Sequence, residues 1–134
     1  GNGTSRLFQI THDYLVYEKG LDNLIWVWDV QDLSWDFADY RPAAASFDLA
    51  ALDVYGDGFT PAKYDAMLSV AGGKPIAIGE CNHLPTAAEL AAQPFWSFFM
   101  SWSELTFSDN TGAQIKATYG APPVLELDRM PGWN

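Results

Sequence analysis

The segment Lys74-Pro75-Ile76-Ala77-Ile78-Gly79-Glu80 decides the fold class, because it reads as a short apolar strand that ends on a carboxylate. The turn-rich stretch Cys81-Asn82-His83-Leu84-Pro85 follows it, so Glu80 is predicted to lie where a strand passes into a loop. In β/α barrels the catalytic groups lie at this end of the strands. The segment therefore predicts a parallel sheet with a candidate catalytic carboxylate at its carboxyl edge.

Three more strands are predicted, at residues 23–30, 47–55 and 95–102, because these stretches are rich in apolar and aromatic β-formers. The strands begin about 25 residues apart with helices or loops between them, which predicts βα units and a parallel sheet. A complete (β/α)8 barrel takes about 250 residues for its eight units. The 134 residues of this chain leave room for about four. The predicted fold is therefore α/β, half of a TIM barrel, with residues 1–134 forming a single domain.

Helices are predicted between the strands from local end signals. Apolar residues recur at helical spacing over 5–19, and Gly20 follows as a stop. Thr60-Pro61 combines an N-cap with proline at the first helical position, and Thr86 with Glu89 matches a capping box. The tail beyond residue 102 is predicted to be rich in loops.

The composition bears on the class of partner. The chain is 49% hydrophobic and carries a net charge of −10, from 17 acidic and 7 basic residues. Nucleic acids and anionic membranes both attract Lys and Arg, so neither is an expected partner, whereas a neutral polysaccharide is indifferent to the charge. No apolar run approaches the roughly 20 residues of a membrane-spanning helix. Cys81 is the single cysteine, so no internal disulfide is expected.

No metal site or cofactor is predicted. The two histidines, His12 and His83, are not spaced with other ligands as in a metal site. The stretch from Asp53 to Asp57-Gly58 lacks the ligand density of a calcium loop. The sequence also shows no glycine motif for phosphate binding and no Ser/His nucleophile pattern.

Carboxylates and a tyrosine end two adjacent strands of the predicted sheet. Glu80 is a candidate nucleophile or general base, with a buried carboxylate paired to a neighbouring Arg or Tyr as the alternative interpretation. Asp53 and Tyr55 share one face of the preceding strand, since side chains repeat every second residue. A tyrosine hydroxyl beside a nucleophilic carboxylate holds it ionised and oriented. For Asp53 taken alone, strand-end capping and packing is the competing interpretation.

Aromatic side chains also end strands. Trp28 and Trp102 are candidates for sugar contacts, because aromatic faces suit the apolar faces of sugar rings. Core packing is the alternative for each of the six tryptophans. His83, in the loop after the Glu80 strand, is predicted to line the cleft, whereas His12 is predicted to be structural or solvated.

Several segments together carry a resemblance to a known family. They are residues 20–28 (Gly-Leu-Asp-Asn-Leu-Ile-Trp-Val-Trp), 52–55 (Leu-Asp-Val-Tyr), 74–80, the Trp102 strand and 123–131. In this order they resemble the C-terminal half of glycoside hydrolase family 26, whose best-known members are endo-β-1,4-mannanases. The resemblance implies a (β/α)8 barrel that cleaves a β-linked polysaccharide or oligosaccharide with retention, using two glutamates. It also implies a secreted or periplasmic protein.

The resemblance also implies roles for individual residues. Carried over by motif, Glu80 is the nucleophile on the seventh strand, and Tyr55 is its hydrogen-bonding neighbour on the sixth. Trp28 and Trp102, on the fifth and eighth strands, help to form the sugar-binding floor. Asp53 and His83 complete the predicted substrate-binding set from their places at a strand end and in the loop after Glu80, independently of the resemblance.

The chain departs from the family in its acid/base group. The family's acid/base glutamate lies on the fourth strand, whereas the only glutamate before Glu80 is Glu18, in the helix before the fifth strand. Weak or absent hydrolysis by the chain alone is therefore expected. A two-fold homodimer would close four strands into eight, and Glu104, just beyond Trp102, would then be a possible acid acting in trans.

Two other functions fit the same residues. One is a non-catalytic carbohydrate-binding module that uses the same aromatic floor, and the other is an assembly unit whose open sheet face binds another chain. Mannan hydrolysis that is lost on Glu80→Ala favours the enzyme, and oligosaccharide binding that survives this change favours the binding module. The assembly unit predicts neither.

Overall fold

The computed structural model describes residues 3–32 and 36–132, and it contains a four-stranded sheet in the order β1-β2-β3-β4. The strands are β1 (Val27–Gln31), β2 (Leu49–Val54), β3 (Ile76–Cys81) and β4 (Trp96–Phe99). Each strand runs parallel to the next one in the chain. The predicted α/β class with a parallel sheet is therefore confirmed.

Helices precede, connect and follow the strands. They are α1 (Gly3–Asp13, continued by a π-helical turn at Tyr14–Glu18), α2 (Phe37–Tyr40), α3 (Pro61–Ala71), α4 (Ala87–Ala92), α5 (Ser103–Ser108) and α6 (Gly112–Tyr119), with 3-10 turns at Ala44–Ser46 and Leu127–Arg129. The prediction of a loop-rich tail is wrong, because the tail holds α5 and α6. A capping box of Thr111 with Gln114 begins α6. Strand β4 is shorter than predicted, because Trp102 is already the N-cap residue of α5.

The predicted helix-end signals are present in the structure. The Thr60 side chain caps α3, whose first residue is Pro61. Gly72 ends α3 with a φ of 64°, a left-handed conformation that glycine adopts without strain. Thr86 and Glu89 form the reciprocal capping box of α4. These local signals therefore fix where the helices begin and end between the strands.

The hydrophobic core lies between one face of the sheet and helix α3. Leu52 and Ile78 are completely buried there together with Met67 of α3. Each such side chain contributes about 1.5–3 kcal/mol through its burial. Trp28 belongs to the same core, and its ring centroid lies 5.5 Å from that of Phe47. Because side chains alternate along a strand, residues between these core positions point to the opposite, open face of the sheet.

Candidate functional site

Three carboxylates lie on the open face of the sheet. Asp29 comes from β1, Asp53 from β2 and Glu80 from β3. Asp53 and Glu80 are register partners in the pairing of β2 with β3, and the charges of all three groups act on one another. Asp53 and Glu80 stand at the carboxyl ends of their strands, the edge that carries functional groups in β/α proteins.

A β-bulge aims Glu80 at this face. Leu52 pairs with Ile78 but Asp53 pairs with Glu80, so β3 contains one extra residue, Gly79, relative to β2. Without the extra residue, strict alternation from Ile78 would turn Glu80 toward the helices. Bulges near functional sites commonly re-aim a side chain in this way.

Tyr55 is hydrogen-bonded to Glu80. Its Oη atom donates to Glu80 Oε2 over 2.9 Å. Burial raises the pKa of Tyr55, and the adjacent Glu80 carboxylate raises it further, so the hydroxyl keeps its proton and acts as a donor. Glu80 itself is only partly buried. The structure thus brings together two residues that were singled out from the sequence.

Asp53 is the most perturbed carboxyl group of the site. It is only 8% exposed, and its Oδ1 atom meets no hydrogen-bond donor among the described residues. Burial raises its pKa from 3.8 to about 8, and the charges of Asp29 and Glu80 add to the effect. Asp29 is exposed as a whole residue, but partial loss of hydration of its carboxyl group raises its pKa, and the charge of Glu80 adds to the effect.

Asp29 was not singled out from the sequence, and Gly79 explains how it fits. A Cβ atom at position 79 would lie 2.6 Å from Asp29 Cγ, well inside van der Waals contact. Only glycine therefore leaves room for the Asp29 carboxyl group above the bulge. The signal in the sequence was its position between Trp28 and Val30, since alternation separates it from those core side chains.

A buried ion pair supports the loops next to the site. Lys63 of α3 is 3% exposed in its side chain and lies 2.7 Å from Asp32 Oδ2. The same oxygen accepts hydrogen bonds from the backbone N–H groups of Tyr55 and Gly56, at 2.9 and 3.0 Å. Burial raises the pKa of Asp32, but Lys63 and these N–H groups outweigh it and hold the pKa below its usual value. The pair therefore anchors the chain that leaves β2 at Tyr55.

The structure separates the two predicted sugar-contact tryptophans. Trp28 is 2% exposed and belongs to the core on the helix side of the sheet, so the structure does not bring it to the carboxylates. Trp102 is 45% exposed, and its backbone N–H donates to Cys81 O over 2.9 Å. Trp102 therefore lies beside the carboxyl end of β3, next to the residue that follows Glu80.

His83 and Glu104 are both exposed and near this end of the sheet. His83 Nδ1 lies 3.1 Å from the backbone oxygen of Asp109, to which it donates, in the loop that follows β3. Glu104 stands in the first turn of α5 and accepts a hydrogen bond from Ser103 Oγ at 2.8 Å. That hydrogen bond lowers the pKa of Glu104, and backbone hydrogen bonding adds to the effect.

Residues 3–32 and 36–132 contain neither a metal-binding cluster nor a membrane-spanning helix. No cluster of three or more His, Cys, Asp and Glu side chains in this part of the chain is arranged to hold a metal ion. Within the same residues, no helix has the length and apolar character needed to cross a membrane.

A parallel sheet built from consecutive βα units, with carboxylates at the carboxyl ends of its strands, defines an α/β protein of the TIM-barrel type. Within that class, the chain belongs to glycosyl hydrolase family 26, whose family model matches residues 2–129. The resemblance found in the sequence motifs is thereby confirmed.

Individual relatives agree with this assignment. The chain is 28% identical over 142 residues to a mannan endo-1,4-beta-mannosidase of Thermothelomyces thermophilus, covering 96% of this chain and 27% of that protein. A solved GH26A structure from a Muricauda species superposes with a TM-score of 0.90 and 36% identity, covering 96% of this chain and 44% of that one. A beta-mannanase from a symbiotic protist of the termite Reticulitermes speratus, complexed with gluco-manno-oligosaccharide, superposes with a TM-score of 0.80 and 28% identity, covering 96% and 42%. The chain spans less than half the length of each of these proteins.

Proposed function

We propose that this chain supplies the nucleophile side of a retaining β-mannan hydrolase site, with Glu80 as the nucleophile. The observation that carries the proposal is the 2.9 Å hydrogen bond from Tyr55 Oη to Glu80 Oε2 at the carboxyl edge of the sheet in a family-26 chain. Relatives are mannan endo-1,4-beta-mannosidases, and one related structure holds a gluco-manno-oligosaccharide. A β-linked mannan or glucomannan is therefore the proposed substrate.

The chemistry assigns separate tasks to the two residues. Ionised Glu80 attacks the anomeric carbon from one face of the sugar and forms a covalent glycosyl-enzyme ester, while the glycosidic bond to the leaving oxygen breaks. Tyr55 stays protonated because its pKa is raised, first by burial and then by Glu80 itself. Its hydroxyl therefore holds one carboxylate oxygen, and the other oxygen is left for the attack.

A retaining mechanism also needs an acid about 5–5.5 Å from the nucleophile to protonate the leaving oxygen. The resemblance to family 26 implies that this acid is a glutamate on the fourth strand of the barrel, which precedes the strands described here. The acid is therefore proposed to come from further βα units or from a second copy of the chain. Glu104 is the candidate in a second copy. A general acid needs a raised pKa, so its lowered pKa in the single chain requires the second copy to bury it.

A homodimer is the proposed closure of the sheet. Strands β1 and β4 are its edges, and the chain around β4 exposes the apolar side chains of Phe95, Phe98 and Met100. An apolar groove of about 750 Å³ runs from β4 to the C-terminal segment and is lined by residues that include Phe98 and Met130. Unpaired strand edges next to exposed apolar surface are association surfaces.

Trp102, His83 and Asp53 are the proposed neighbours of the substrate. Trp102 and His83 are exposed beside the carboxyl end of β3, so a sugar ring above Glu80 would lie within reach of both. Trp28 is not included, because its ring is enclosed in the core on the other side of the sheet.

The test isolates the nucleophile from the missing acid. A dinitrophenyl leaving group departs without protonation, so a 2-fluoro mannooligosaccharide carrying it should label Glu80 covalently even when no acid is present. Intact-mass spectrometry and peptide mapping should place the adduct on Glu80. Glu80→Gln should abolish the label, and Glu89→Gln, on the exposed cap of α4, serves as the matched control.

Two outcomes would overturn the proposal. An adduct on another residue would remove Glu80 from the nucleophile role. Binding of mannooligosaccharide without any adduct would indicate a binding module instead of an enzyme. Light scattering on a size-exclusion column tests the dimer separately, and a monomeric mass would exclude Glu104 of a second copy as the acid.

A further inference from the structure

Asp32 holds both ends of the short segment with which the chain leaves β2. Its backbone N–H group donates to the backbone oxygen of Asp53 over 3.1 Å. Its Oδ2 atom accepts from the backbone N–H groups of Tyr55 and Gly56, at 2.9 and 3.0 Å. The step from Asp53 to Tyr55 is therefore fixed before and after the residue whose hydroxyl group donates to Glu80.

Lys63 holds Asp32 in its turn. It lies in the first turn of α3, and its ammonium group contacts Asp32 Oδ2 at 2.7 Å, Asp57 Oδ1 at 2.5 Å and the backbone oxygen of Gly58 at 3.0 Å. These contacts use all three donors of the ammonium group. The side chains of Lys63 and Asp32 are 3% and 1% exposed, so the pair is closed to water.

Stability alone is a weak reason for such a pair. Two charges lose their hydration when they are buried, and a buried pair can often be replaced by apolar side chains without loss of stability. An apolar side chain at position 32 could not accept hydrogen bonds, however, and the N–H groups of Tyr55 and Gly56 would lose their acceptor. The carboxylate of Asp32 therefore supplies a fixed anchor for the backbone at this point.

The hydrogen bond between Tyr55 and Glu80 depends on this backbone. Its length is 2.9 Å, and a hydrogen bond weakens steeply when its geometry departs from the preferred range. The hydroxyl group lies at the far end of the Tyr55 ring, so a small rotation of the backbone displaces it by a larger distance. A functional side chain needs a supporting layer that removes this freedom.

We infer that Asp32, held by Lys63, is a positioning residue of the site, which fixes the backbone at Tyr55 so that the phenol hydroxyl group holds one oxygen of Glu80 and leaves the other free. The effect on the nucleophile rests on the proposed function of Glu80. The position of the Tyr55 hydroxyl group can be tested without it.

Three substitutions of Asp32 separate its position from its charge. Asp32→Ala removes the acceptor, whereas Asp32→Asn keeps an oxygen in its place without the charge. Asp32→Glu keeps the charge for Lys63 but carries the carboxylate one methylene group further along. Asp48→Ala is the matched control, because Asp48 Oδ2 accepts from the backbone N–H group of Trp26 over 2.8 Å at the amino end of β2.

The first measurement is ¹³C NMR of the full chain with tyrosine labelled at Cζ. The signal that is absent in Tyr55→Phe belongs to Tyr55, and Glu80→Ala shows where it lies without its acceptor. Asp32→Ala and Asp32→Glu should move the signal toward that position, while Asp32→Asn and Asp48→Ala should leave it near its wild-type position. An unmoved signal in Asp32→Ala and Asp32→Glu would overturn the inference. If circular dichroism shows that Asp32→Ala does not fold, Asp32→Glu decides, because it keeps the charge of the pair.

The second measurement is the rate of Glu80 labelling by the dinitrophenyl 2-fluoro mannooligosaccharide as its concentration is varied. Asp32→Ala should lower the maximal rate by about tenfold or more, as for loss of the Tyr55 hydrogen bond, with the half-saturating concentration unchanged. In a Tyr55→Phe background the same substitution should change the rate by less than about twofold, because the group through which Asp32 acts is absent. Equal slowing in both backgrounds would indicate a general structural role and overturn the inference.

The two measurements separate the two proposals. If the wild-type chain takes up no label, the proposed function of Glu80 fails, while the NMR signal of Tyr55 still decides whether Asp32 positions its hydroxyl group. If Glu80 is labelled and neither the signal nor the rate responds to Asp32, the proposed function stands and the inference about Asp32 is wrong.

Discussion

Gly79→Ala should destabilise the chain only while Asp29 is present. The φ of Gly79 lies outside the left-handed region, so alanine fits the backbone there. The added Cβ atom would lie 2.6 Å from Asp29 Cγ and closer still to its oxygens, whereas carbon atoms in contact stay about 3.5–4.0 Å apart. The end of the Asp29 side chain must therefore move by about 1 Å.

The magnitude follows from two opposing effects. The atoms that the new Cβ would meet belong to the end of the exposed Asp29 side chain, and forcing a side chain out of its rotamer costs about 0.5–1.5 kcal/mol. Replacing glycine by alanine at a compatible position gains about 0.4–1 kcal/mol by restricting the unfolded chain. A net loss of up to about 1 kcal/mol is expected for Gly79→Ala. In an Asp29→Ala background the clash is absent, so the same change should be neutral or stabilising by about 0.4–1 kcal/mol.

Urea unfolding of the four chains of this cycle measures the coupling. The urea midpoints should change while the slope m stays constant. A changed slope would report altered compactness of the native or the denatured state. The coupling energy should be about 0.5–1.5 kcal/mol, at the lower end of the range found for residues in contact. If Gly79→Ala lowers the free energy of unfolding equally in the two backgrounds, the glycine is not required to make room for Asp29.

Three further predictions concern the groups around Glu80. The folded-state pKa of Asp53, about 8, is raised above its ordinary value of 3.8. Its contribution to stability should therefore be fully present below about pH 4 and should be lost as pH rises toward 8. The urea midpoint of the wild type should fall across this pH range, and that of Asp53→Asn should fall less. Tyr55→Phe should slow labelling of Glu80 by about 10- to 150-fold, as expected for a lost hydrogen bond of about 1.5–3 kcal/mol to a charged group, while circular dichroism shows the fold retained. Lys63→Met should cost about 3–5 kcal/mol in urea unfolding, because it leaves the buried Asp32 without its cation.

Local signals in the sequence predicted the elements well. The proline after Thr60 and the capping box at Thr86 identified helix starts because the chemistry of a cap involves only neighbouring residues. The alternation of strands and helices was enough to predict a parallel sheet. Helix α6 is an exception, because it was not predicted although its capping box of Thr111 with Gln114 is present in the sequence.

The arrangement of the site was harder to predict because it depends on partners distant in the chain. Ile76 and Ile78 face the core, so alternation alone would have placed Glu80 with them. The bulge that turns Glu80 to the open face is defined by its pairing with Asp53, which lies 27 positions earlier in the chain. The position of Trp28 was equally hard to predict, because the sequence of its own strand does not indicate which face of the sheet the helices cover. The resemblance implied a place in the sugar-binding floor, whereas the structure encloses the Trp28 ring in the core.

The order of strands in the sheet has a consequence for biosynthesis. Every strand pairs with the strand synthesised just before it, so each pairing closes only one βα unit and no early strand waits for a late one. Such local closure favours fast folding, and we expect β1 to β3 to assemble while the rest of the chain is still leaving the ribosome. The last strand of this sheet to be made is β4, and the chain around it exposes Phe95 and Phe98. The assembled sheet would therefore be prone to aggregation along this edge, and the expression level at which the chain stays soluble would report on how the edge is covered.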